Sequence, residues 1–426
     1  MAAQLYKTES GRLFHAGAIA IITVGLPARG KTHTARSLLR YLRWLGVSTQ
    51  VFHLGDYRRQ VVGEKVSWDF FHPDNQATMA LRKTILECAL ADLLAFFHTG
   101  GQVGIFDAAN TTDERRKQLQ ERLEHEHVQV QSICDKEDII NANIRSVKIS
   151  SPDYLGWNEE KALEDFKHRI ENHMPFYQTI NDPALSYVKM FNAGEHMVFN
   201  NINGYLQTRI VYYMMNLHIS PRVIYFARNG ESLNEQMDRA DADLSPAGHR
   251  YAEHLKDFLL QRRAERQEET GESPRRLQVW TSPRRRSFNS ACHFEFPVQV
   301  RQRAQLIEIN PGDCDGMTKD EIRAKYPDEW ANYQQDSYRY RFPRAESYHD
   351  LAVRVEPVIL ELEREKDDVL FIAHLSVLRL LYAYLMGIQE KDVLSINIPR
   401  DTLIEIIPSA YRYKETRMII PGVKRE

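Results

Sequence analysis

Short apolar runs alternate with longer amphipathic stretches along the first half of the chain. Four runs rich in β-branched residues have the length of strands, at residues 18–24, 49–54, 103–106 and 128–134. Between them, apolar residues recur at helical spacing and predict helices over residues 31–45, 76–98 and 113–126. Strands that alternate with helices are typical of a parallel sheet with crossover helices, so we predict an α/β domain.

The same rhythm begins again near residue 220. Further candidate strands lie at residues 222–227, 277–281, 369–373 and 402–407. Among them, segment 261–276 carries four Glu and five Arg and predicts a solvated helix end followed by a loop. We therefore divide the chain into a tail at residues 1–16, a first domain at 17–220 and a second, unlike α/β domain at 221–426.

The composition is that of a folded globular protein, with 43% apolar and 27% charged residues among 426. Fifty-six basic and 58 acidic side chains give a formal charge of -2. This balance excludes a broad nucleic-acid-binding surface but leaves room for local anion pockets. The three arginines at residues 284–286 are too few to follow a phosphate backbone.

The cysteines and the lengths of the apolar runs indicate the compartment. No C-x-x-C pair occurs, so neither a zinc site nor a disulfide scaffold is predicted from Cys88, Cys134, Cys292 and Cys314. No apolar run approaches the roughly 20 residues that span a bilayer. We expect a cytoplasmic protein without a membrane partner.

The strongest candidate for chemistry follows the first predicted strand. The sequence GLPARGKT at residues 25–32 fits the phosphate-binding pattern G-x-x-x-x-G-K-[ST], between a strand and a helix as that pattern requires. Its glycines let backbone N–H groups wrap phosphates, Lys31 can reach the β- and γ-phosphates, and the Thr32 hydroxyl can bind Mg²⁺. The segment predicts a site for ATP with Mg²⁺.

A second buried strand, at residues 103–106, ends in Asp107. On its own, an acid at the end of a strand is more often a helix cap or a turn residue. Beside a phosphate-binding loop, the same carboxylate is placed to act near the metal and the attacking group. We predict the second role.

Five segments occur in a fixed order along the first domain: GLPARGKT at residues 25–32, DYRR at 56–59, FF at 70–71 with DN at 74–75, FDAANTT at 106–112 and VKISSPDY at 147–154. In this order they resemble the 6-phosphofructo-2-kinase/fructose-2,6-bisphosphatase family. The resemblance implies an N-terminal P-loop kinase domain with a mainly parallel sheet. It also implies transfer of the ATP γ-phosphoryl group to the 2-hydroxyl of fructose 6-phosphate, which gives fructose 2,6-bisphosphate, and a homodimer.

Positions that match the family pattern acquire roles from this resemblance. The catalytic set is Lys31, Asp107, Cys134 and Lys148. The nucleotide-binding set is Gly25, Leu26, Pro27, Ala28, Arg29, Gly30, Lys31, Thr32, His33, Asn143 and Lys148, with Thr32 also the metal ligand. The set for fructose 6-phosphate is Arg58, Arg82, Arg115, Lys148 and Arg169. A single arginine or lysine is ordinarily a surface residue, and Cys134 equally fits a buried core thiol.

Two positions depart from the family pattern in this domain. Ala109 stands where a Thr is usual, and it has no side-chain hydrogen bond to offer a substrate. His173 stands where a substrate-contacting Tyr is usual. We expect fructose 6-phosphate to bind less tightly by ~1 to 3 kcal/mol, with the kinase otherwise intact.

The second domain resembles the histidine phosphatase superfamily, which has a phosphoglycerate mutase-like α/β fold, but with a changed nucleophile. Its first strand runs into RNGES at residues 228–232, where the superfamily has Arg-His-Gly-Glu. The superfamily forms a phosphohistidine on that side chain. Asn229 has no nucleophilic nitrogen lone pair and should form no phosphoenzyme.

Other positions of this second site are partly kept. Those that agree with the superfamily are Arg228, Asn234, Arg286, Glu308, Tyr348, His374 and Arg379, so we predict a degenerate phosphatase site. Lys319, Tyr333, Ser337 and Leu375 stand where Tyr, Arg, Lys and Gln are usual. His374 fits either an electrostatic partner of a phosphoryl group or a simple strand-end residue.

The preferred hypothesis is a kinase whose phosphatase-like domain is inactive or nearly so. One alternative is a bifunctional or mainly phosphatase enzyme in which water or another residue replaces the missing His. Another is a non-catalytic regulator that binds ATP and the sugar phosphates. The second domain could also be an allosteric sensor that holds a phosphorylated metabolite without cleaving it.

Overall fold

The computed structural model describes residues 18–64, 66–72, 75–123, 126–154, 156–218, 222–233, 241–271, 273, 275–409 and 413–423. The predicted tail at residues 1–16 lies outside this range. Two compact units divide the chain between Ile219 and Ser220. Among the described helices, none is long and apolar enough to cross a membrane.

The first unit is built on a six-stranded sheet. Its strands are β1 Ile19–Val24, β2 Thr49–His53, β3 Val103–Asp107, β4 Glu126–Ile133, β5 Tyr187–Phe191 and β6 His196–Asn200. Its helices are α1 Lys31–Trp44, α2 Leu54–Val62, α3 Gln76–His98, α4 Asp113–Arg122, α5 Glu137–Ser150, α6 Glu159–His173 and α7 Tyr205–Asn216. Short 3-10 turns lie at Trp68–Phe71, Pro152–Tyr154, Met174–Phe176 and Asn192–Gly194.

The strand order of this sheet is β2-β3-β1-β4-β5-β6. In this order, each strand from β2 through β5 runs parallel to its neighbour, and β6 is antiparallel to β5. Every residue of β1 is buried, as a strand covered on both faces requires. The carboxyl ends of β1, β2 and β3 therefore meet at one edge of the sheet, where such folds bind ligands.

The four strands predicted for this domain are confirmed, and the predicted parallel α/β class with them. The predicted helix 113–126 is wrong at its end, because α4 stops at Arg122. Leu123 adopts an extended conformation and is buried in the core, and β4 begins at Glu126. Leu123 lies in the same buried cluster as Leu119 of α4, so the chain leaves the helix without leaving the core. Strands β5 and β6 were not predicted.

The second unit contains another six-stranded sheet. Its strands are β7 Ile224–Arg228, β8 Leu277–Thr281, β9 Gln299–Gln302, β10 Asp368–Ala373, β11 Thr402–Ile407 and β12 Lys414–Ile419. Its helices are α8 Pro246–Thr270, α9 Arg285–Asn289, α10 Lys319–Lys325, α11 Pro327–Gln335, α12 Tyr348–Arg364 and α13 Leu375–Met386. Short 3-10 turns lie at Ala304–Leu306, Gly312–Cys314 and Glu390–Ser395.

The order of this second sheet is β12-β11-β7-β10-β8-β9. Strands β7, β10, β8 and β9 are parallel, whereas β11 is antiparallel to both β7 and β12. The four strands predicted for this domain are confirmed, and β9 and β12 were not predicted. Helix α8 extends through most of the charged segment 261–276 and ends at Thr270, where Gly271 takes a left-handed conformation with φ of 66°.

Candidate active site

The loop after β1 has a backbone that only glycine can adopt at its first position. Gly25 has φ of 142°, and a Cβ there would lie 2.5 Å from the carbonyl oxygen of Ser132 on the neighbouring strand β4. Gly30 has φ of 78° and precedes the first residue of α1, Lys31. The loop therefore leads directly into a helix N-terminus, whose N–H groups and positive end favour phosphate.

Lys31 is half-buried in this loop. Its Nζ donates a 2.6 Å hydrogen bond to the carbonyl oxygen of Leu26. Burial lowers the pKa of the Lys31 ammonium to about 8, although the nearby Asp107 carboxylate opposes that shift. A phosphate group in the loop would restore the charge that burial disfavours.

Asp107, at the end of β3, is 1% exposed and lies among polar partners. Its Oδ2 is 2.9 Å from Nδ1 of His53, the last residue of β2. Its Oδ1 is 3.1 Å from the hydroxyl of Thr23. Burial alone would raise the pKa of Asp107, but His53, the Lys31 ammonium and the Thr32 hydroxyl together lower it, so the group is a carboxylate.

A cavity of about 780 Å³ opens beside these groups. Six predicted loop residues line it: Pro27, Ala28, Arg29, Gly30, Lys31 and Thr32, followed by His33. Asp107 and Asn143 also line it, and Nδ2 of Asn143 donates to the carbonyl oxygen of Ala28 at 3.0 Å. The predicted residues Gly25 and Leu26 are not among the cavity-lining residues, so the loop presents its later residues to the cavity.

Four arginines predicted to hold the sugar phosphate line the same cavity: Arg58, Arg82, Arg115 and Arg169. They come from helices α2, α3, α4 and α6, which are far apart in sequence. Four guanidinium groups that face one cavity repel one another, so this arrangement is stable only when carboxylates or a bound anion lie beside them. The cavity thus has a phosphate loop and an arginine cluster.

The side chains of two of these arginines are held in place by neighbours. Arg58 donates to Asp153 Oδ2 at 2.5 Å. Arg169 forms an ion pair with Asp165 at 2.8 Å, and its guanidinium lies 4.4 Å from the ring centre of Phe71 and 5.2 Å from that of Tyr154. These contacts fix both guanidinium groups before any ligand arrives.

Arg82 and Arg115 lie close enough to repel each other. Burial lowers the pKa of Arg82, and burial together with the charge of Arg82 lowers the pKa of Arg115 to about 10. The Nε atom of Arg115 is buried and has no hydrogen-bond partner within the described part of the chain. Like charges so close together are costly where water is partly excluded, so this pair indicates a place for an anionic group.

Of the other two predicted catalytic residues, Cys134 lies apart from this cluster. Cys134 is buried, does not line the cavity, and its thiol lies 3.7 Å from the carbonyl oxygen of Lys136 as a weak donor. Burial raises the pKa of Cys134. Lys148 belongs to helix α5, but its side chain lies outside the described residues.

Ala109 and His173, the two departures from the family pattern, both line the cavity. Ala109 uses its carbonyl oxygen to accept a 2.9 Å hydrogen bond from the N–H of Gly25. His173 uses Nδ1 to contact the carbonyl oxygen of Arg169 at 2.9 Å. Burial, with Lys31, Arg82 and Arg169 nearby, lowers the pKa of His173, so its ring is neutral at pH 7.

Sequence reasoning missed His53, Thr23 and Asn110. Asn110 donates from Nδ2 to the carbonyl oxygen of Thr23 at 2.8 Å and so ties the segment after β3 to β1. Nothing in the local sequence distinguished His53 from the other residues of the predicted strand 49–54. Only the parallel register, in which His53 pairs with Asp107, shows that the two side chains meet.

A second candidate site lies at the carboxyl ends of β7, β10 and β8, which are adjacent in the second sheet. Asn229 directly follows β7, and its N–H donates to the carbonyl oxygen of Ala373 at 3.1 Å. Its own carbonyl oxygen accepts from Nε of Arg400 at 3.1 Å, and its side-chain Nδ2 donates to Gly230. Asn229 is therefore fixed at the position predicted for the nucleophile.

Glu308 and His374 also belong to this second site. Glu308 forms an ion pair with Arg286, and its Oε2 lies 3.5 Å from Nδ1 of His374. His374 follows β10 and contacts the hydroxyl of Ser282 through Nε2 at 3.0 Å. Burial and the positive charges of Arg286 and other arginines lower the pKa of His374 to about 3, so the imidazole is neutral.

Of the remaining predicted residues, Arg228 ends β7 and is one of the arginines that lower the pKa of His374. Tyr348 and Arg379 contact each other at 3.4 Å, and Arg379 also donates to Ile396. Asn234 lies outside the described residues. Arg354, which was not predicted, donates to the carbonyl oxygens of Gln305, Ile307 and Glu308 and holds the segment that carries Glu308.

Together these features define a P-loop nucleotide site whose cavity also contains a cluster of arginines. The same chain carries a second α/β domain. The family model of 6-phosphofructo-2-kinase matches residues 6–221, and that of the histidine phosphatase superfamily (branch 1) matches residues 224–418. The class predicted for each domain is thereby confirmed.

Curated relatives resemble the chain over both domains. The 6-phosphofructo-2-kinase/fructose-2,6-bisphosphatase of Gallus gallus is 41% identical over 400 residues, which cover 92% of this chain and 82% of the relative. Form 1 from Bos taurus is 42% identical, with 92% and 83% covered, and form 3 from Homo sapiens is 39% identical, with 92% and 75% covered. The chain belongs to the 6-phosphofructo-2-kinase/fructose-2,6-bisphosphatase family.

Proposed function

We propose that the first domain is a 6-phosphofructo-2-kinase, which transfers the γ-phosphoryl group of ATP to the 2-hydroxyl of fructose 6-phosphate. The observation that carries this proposal is one cavity with two anion sites. A phosphate loop with Lys31 forms one part of its lining, and four arginines form another. A reaction between two phosphorylated ligands needs both.

The nucleotide side suits ATP with Mg²⁺. Thr32 follows Lys31 at the start of α1, and its hydroxyl is one of the groups that lower the pKa of Asp107. Hydroxyl and carboxylate oxygens are the donors that Mg²⁺ prefers, and Mg²⁺ commonly completes its shell with phosphate oxygens and water. Thr32 and Asp107 would hold the ion, which would neutralise charge on the phosphates. Gly30 and the backbone around it would bind the phosphates through N–H groups.

The arginine side suits the 6-phosphate and the transferred group. Arg58 and Arg169 are already fixed by Asp153 and Asp165, so they can orient a ligand at little entropic cost. An anionic group beside Arg82 and Arg115 would offset their mutual repulsion. We also assign Lys148 to this side on the basis of the family pattern alone.

Lys31 would act on the transferred phosphoryl group itself. Catalysis of phosphoryl transfer comes mainly from positioning and from cations placed where charge develops on the phosphoryl oxygens. A half-buried ammonium serves this role well, since the field of a charge is stronger where water is partly excluded. Cys134 stays a prediction as a catalytic residue, and its burial supports a structural role equally.

We further propose that the second domain hydrolyses fructose 2,6-bisphosphate very slowly or not at all. Asn229 occupies the position of the nucleophile, and the nitrogen of a carboxamide does not attack phosphorus. In addition, Glu308 is paired with Arg286 and His374 is neutral. The positive charge around His374 supports the retention of an anion without cleavage.

A homodimer is also part of the proposal. Strand β6 is the last strand in the order of the first sheet, and its residues Val198 and Phe199 are 44% and 55% exposed. An edge strand with exposed apolar side chains is suited to pair with a second copy. Light scattering after gel filtration should give a dimer for the wild-type protein and a monomer for Phe199→Asp.

The kinase proposal is tested by incubating the purified protein with Mg²⁺, ATP and fructose 6-phosphate. The expected product is acid-labile fructose 2,6-bisphosphate, and Lys31→Ala should lose at least about 100-fold in rate, as expected for loss of one charge-stabilising donor. Tight binding of both substrates without any product would instead support the non-catalytic regulator.

A further inference from the structure

His53 contacts the catalytic carboxylate from a neighbouring strand. It ends β2, pairs in register with Asp107 at the end of β3, and places Nδ1 2.9 Å from Oδ2. Asp107 is a carboxylate and can only accept hydrogen bonds. Nδ1 of His53 therefore carries the hydrogen and donates it to Asp107.

The chain leaves room for the His53 ring at one particular residue. Gly55 is the second residue of α2, and a Cβ there would lie 2.6 Å from Nε2 of His53. Glycine is otherwise unfavourable within a helix by about 1 kcal/mol relative to alanine. Its presence beside the ring indicates that the ring position matters more than the stability of α2.

Three other groups act on the Asp107 carboxylate, and one of them is the Thr32 hydroxyl, which helps to lower the pKa of Asp107. The Thr23 hydroxyl lies on the side of Oδ1, has a single hydrogen, and is also 2.8 Å from the carbonyl oxygen of Ala108. Lys31 donates to Leu26 and forms no hydrogen bond with Asp107 within the described part of the chain. A buried carboxylate without His53 would attract the Lys31 ammonium, since opposite charges interact strongly where water is excluded.

We propose that His53 is a positioning residue for Asp107, donating from Nδ1 to Oδ2 so that the carboxylate stays fixed for Mg²⁺ and Lys31 stays available for phosphate. The inference rests on the proposed kinase function, because that function makes this loop a Mg²⁺-nucleotide site. Groups that orient a carboxylate beside a metal generally matter about 10- to 100-fold for metal affinity or activity.

The test measures nucleotide binding rather than turnover. Calorimetry with a non-hydrolysable ATP analogue, in Mg²⁺ and again in excess EDTA, gives two dissociation constants for each variant. Their ratio is the contribution of Mg²⁺ to binding. His53→Leu removes the donor, and His53→Asn has a similar size but places an amide N–H near the position of Nδ1. Gly55→Ala keeps His53 but displaces its ring while favouring helix α2.

The expected result is a loss of about 10- to 100-fold in this ratio for His53→Leu and Gly55→Ala. His53→Asn should stay within about threefold of the wild type, well below that loss. A wild-type ratio in both His53→Leu and Gly55→Ala would overturn the proposal, and so would a His53→Asn variant as impaired as His53→Leu. These readouts need no fructose 6-phosphate, so they stand if the kinase assay fails. Conversely, a working kinase with unchanged ratios would refute only the role of His53.

Discussion

Replacing Gly25 by Ala tests the geometry of the phosphate loop most severely. The backbone at φ of 142° is unfavourable for any residue with a Cβ, at about 1 to 3 kcal/mol. The new Cβ would also lie 2.5 Å from the carbonyl oxygen of Ser132, so β1 and β4 would have to separate by about 1 Å. Forced displacement in a packed core costs a further ~1 to 3 kcal/mol.

A matched control separates the two contributions. Gly100 has φ of 90°, but a Cβ there would meet no atom within 4 Å. Gly100→Ala should therefore show only the conformational cost, about 1 to 2 kcal/mol. The excess of Gly25→Ala over Gly100→Ala measures the clash with Ser132.

Hydrogen exchange read by mass spectrometry suits this comparison, because it reports local stability strand by strand in a protein of two domains. We expect faster exchange in β1 and β4 of Gly25→Ala, unchanged exchange in β10, and loss of ATP binding. Equal effects of the two substitutions on β1 and β4, with ATP binding retained by both, would refute the proposed close approach of Gly25 to β4.

Three further predictions concern the two sites. Since burial lowers the pKa of Lys31 to about 8, the Lys31 side chain of the free protein loses its positive charge above that pH. ATP affinity should therefore fall as the pH rises from 8 to 10, and binding should take up protons, which calorimetry detects in buffers of different ionisation enthalpy. Binding that does not depend on pH would contradict this prediction. Ala109→Thr should strengthen fructose 6-phosphate binding by ~1 to 3 kcal/mol and lower its KM, whereas an unchanged KM would show that the missing hydroxyl is irrelevant. Asn229→His should become labelled by fructose 2,6-bisphosphate carrying ³²P at the 2-position, and labelling of the wild type would disprove the loss of its nucleophile.

The fold was predictable where pattern and motif coincide. The phosphate loop between β1 and α1 combines a buried β-branched run, two glycines and an amphipathic helix, and each feature requires the same local structure. Strand β5 is short and has no exposed residue, whereas three of the five residues of β6 are exposed, so neither was distinguished from a loop. Strand β5 pairs with β4, which lies about 60 residues earlier, and β6 pairs with β5.

The candidate site was only partly predictable. Lys31, Asp107 and the cavity arginines follow from the motif and the family resemblance, and all of them line one cavity. His53 could not be inferred, because its role depends on the register between β2 and β3 rather than on any local sequence. The state of His374 could not be inferred either, since its neutral ring results from burial and from arginines on several separate segments.

The central claim is that the chain makes fructose 2,6-bisphosphate but does not remove it. The most direct measurement compares both directions in one preparation: synthesis from Mg²⁺, ATP and fructose 6-phosphate, and release of fructose 6-phosphate from fructose 2,6-bisphosphate. The account predicts synthesis that disappears in Lys31→Ala, and no release above that of a Glu308→Gln variant. Release that exceeds this control, without any synthesis, would contradict the account of both domains.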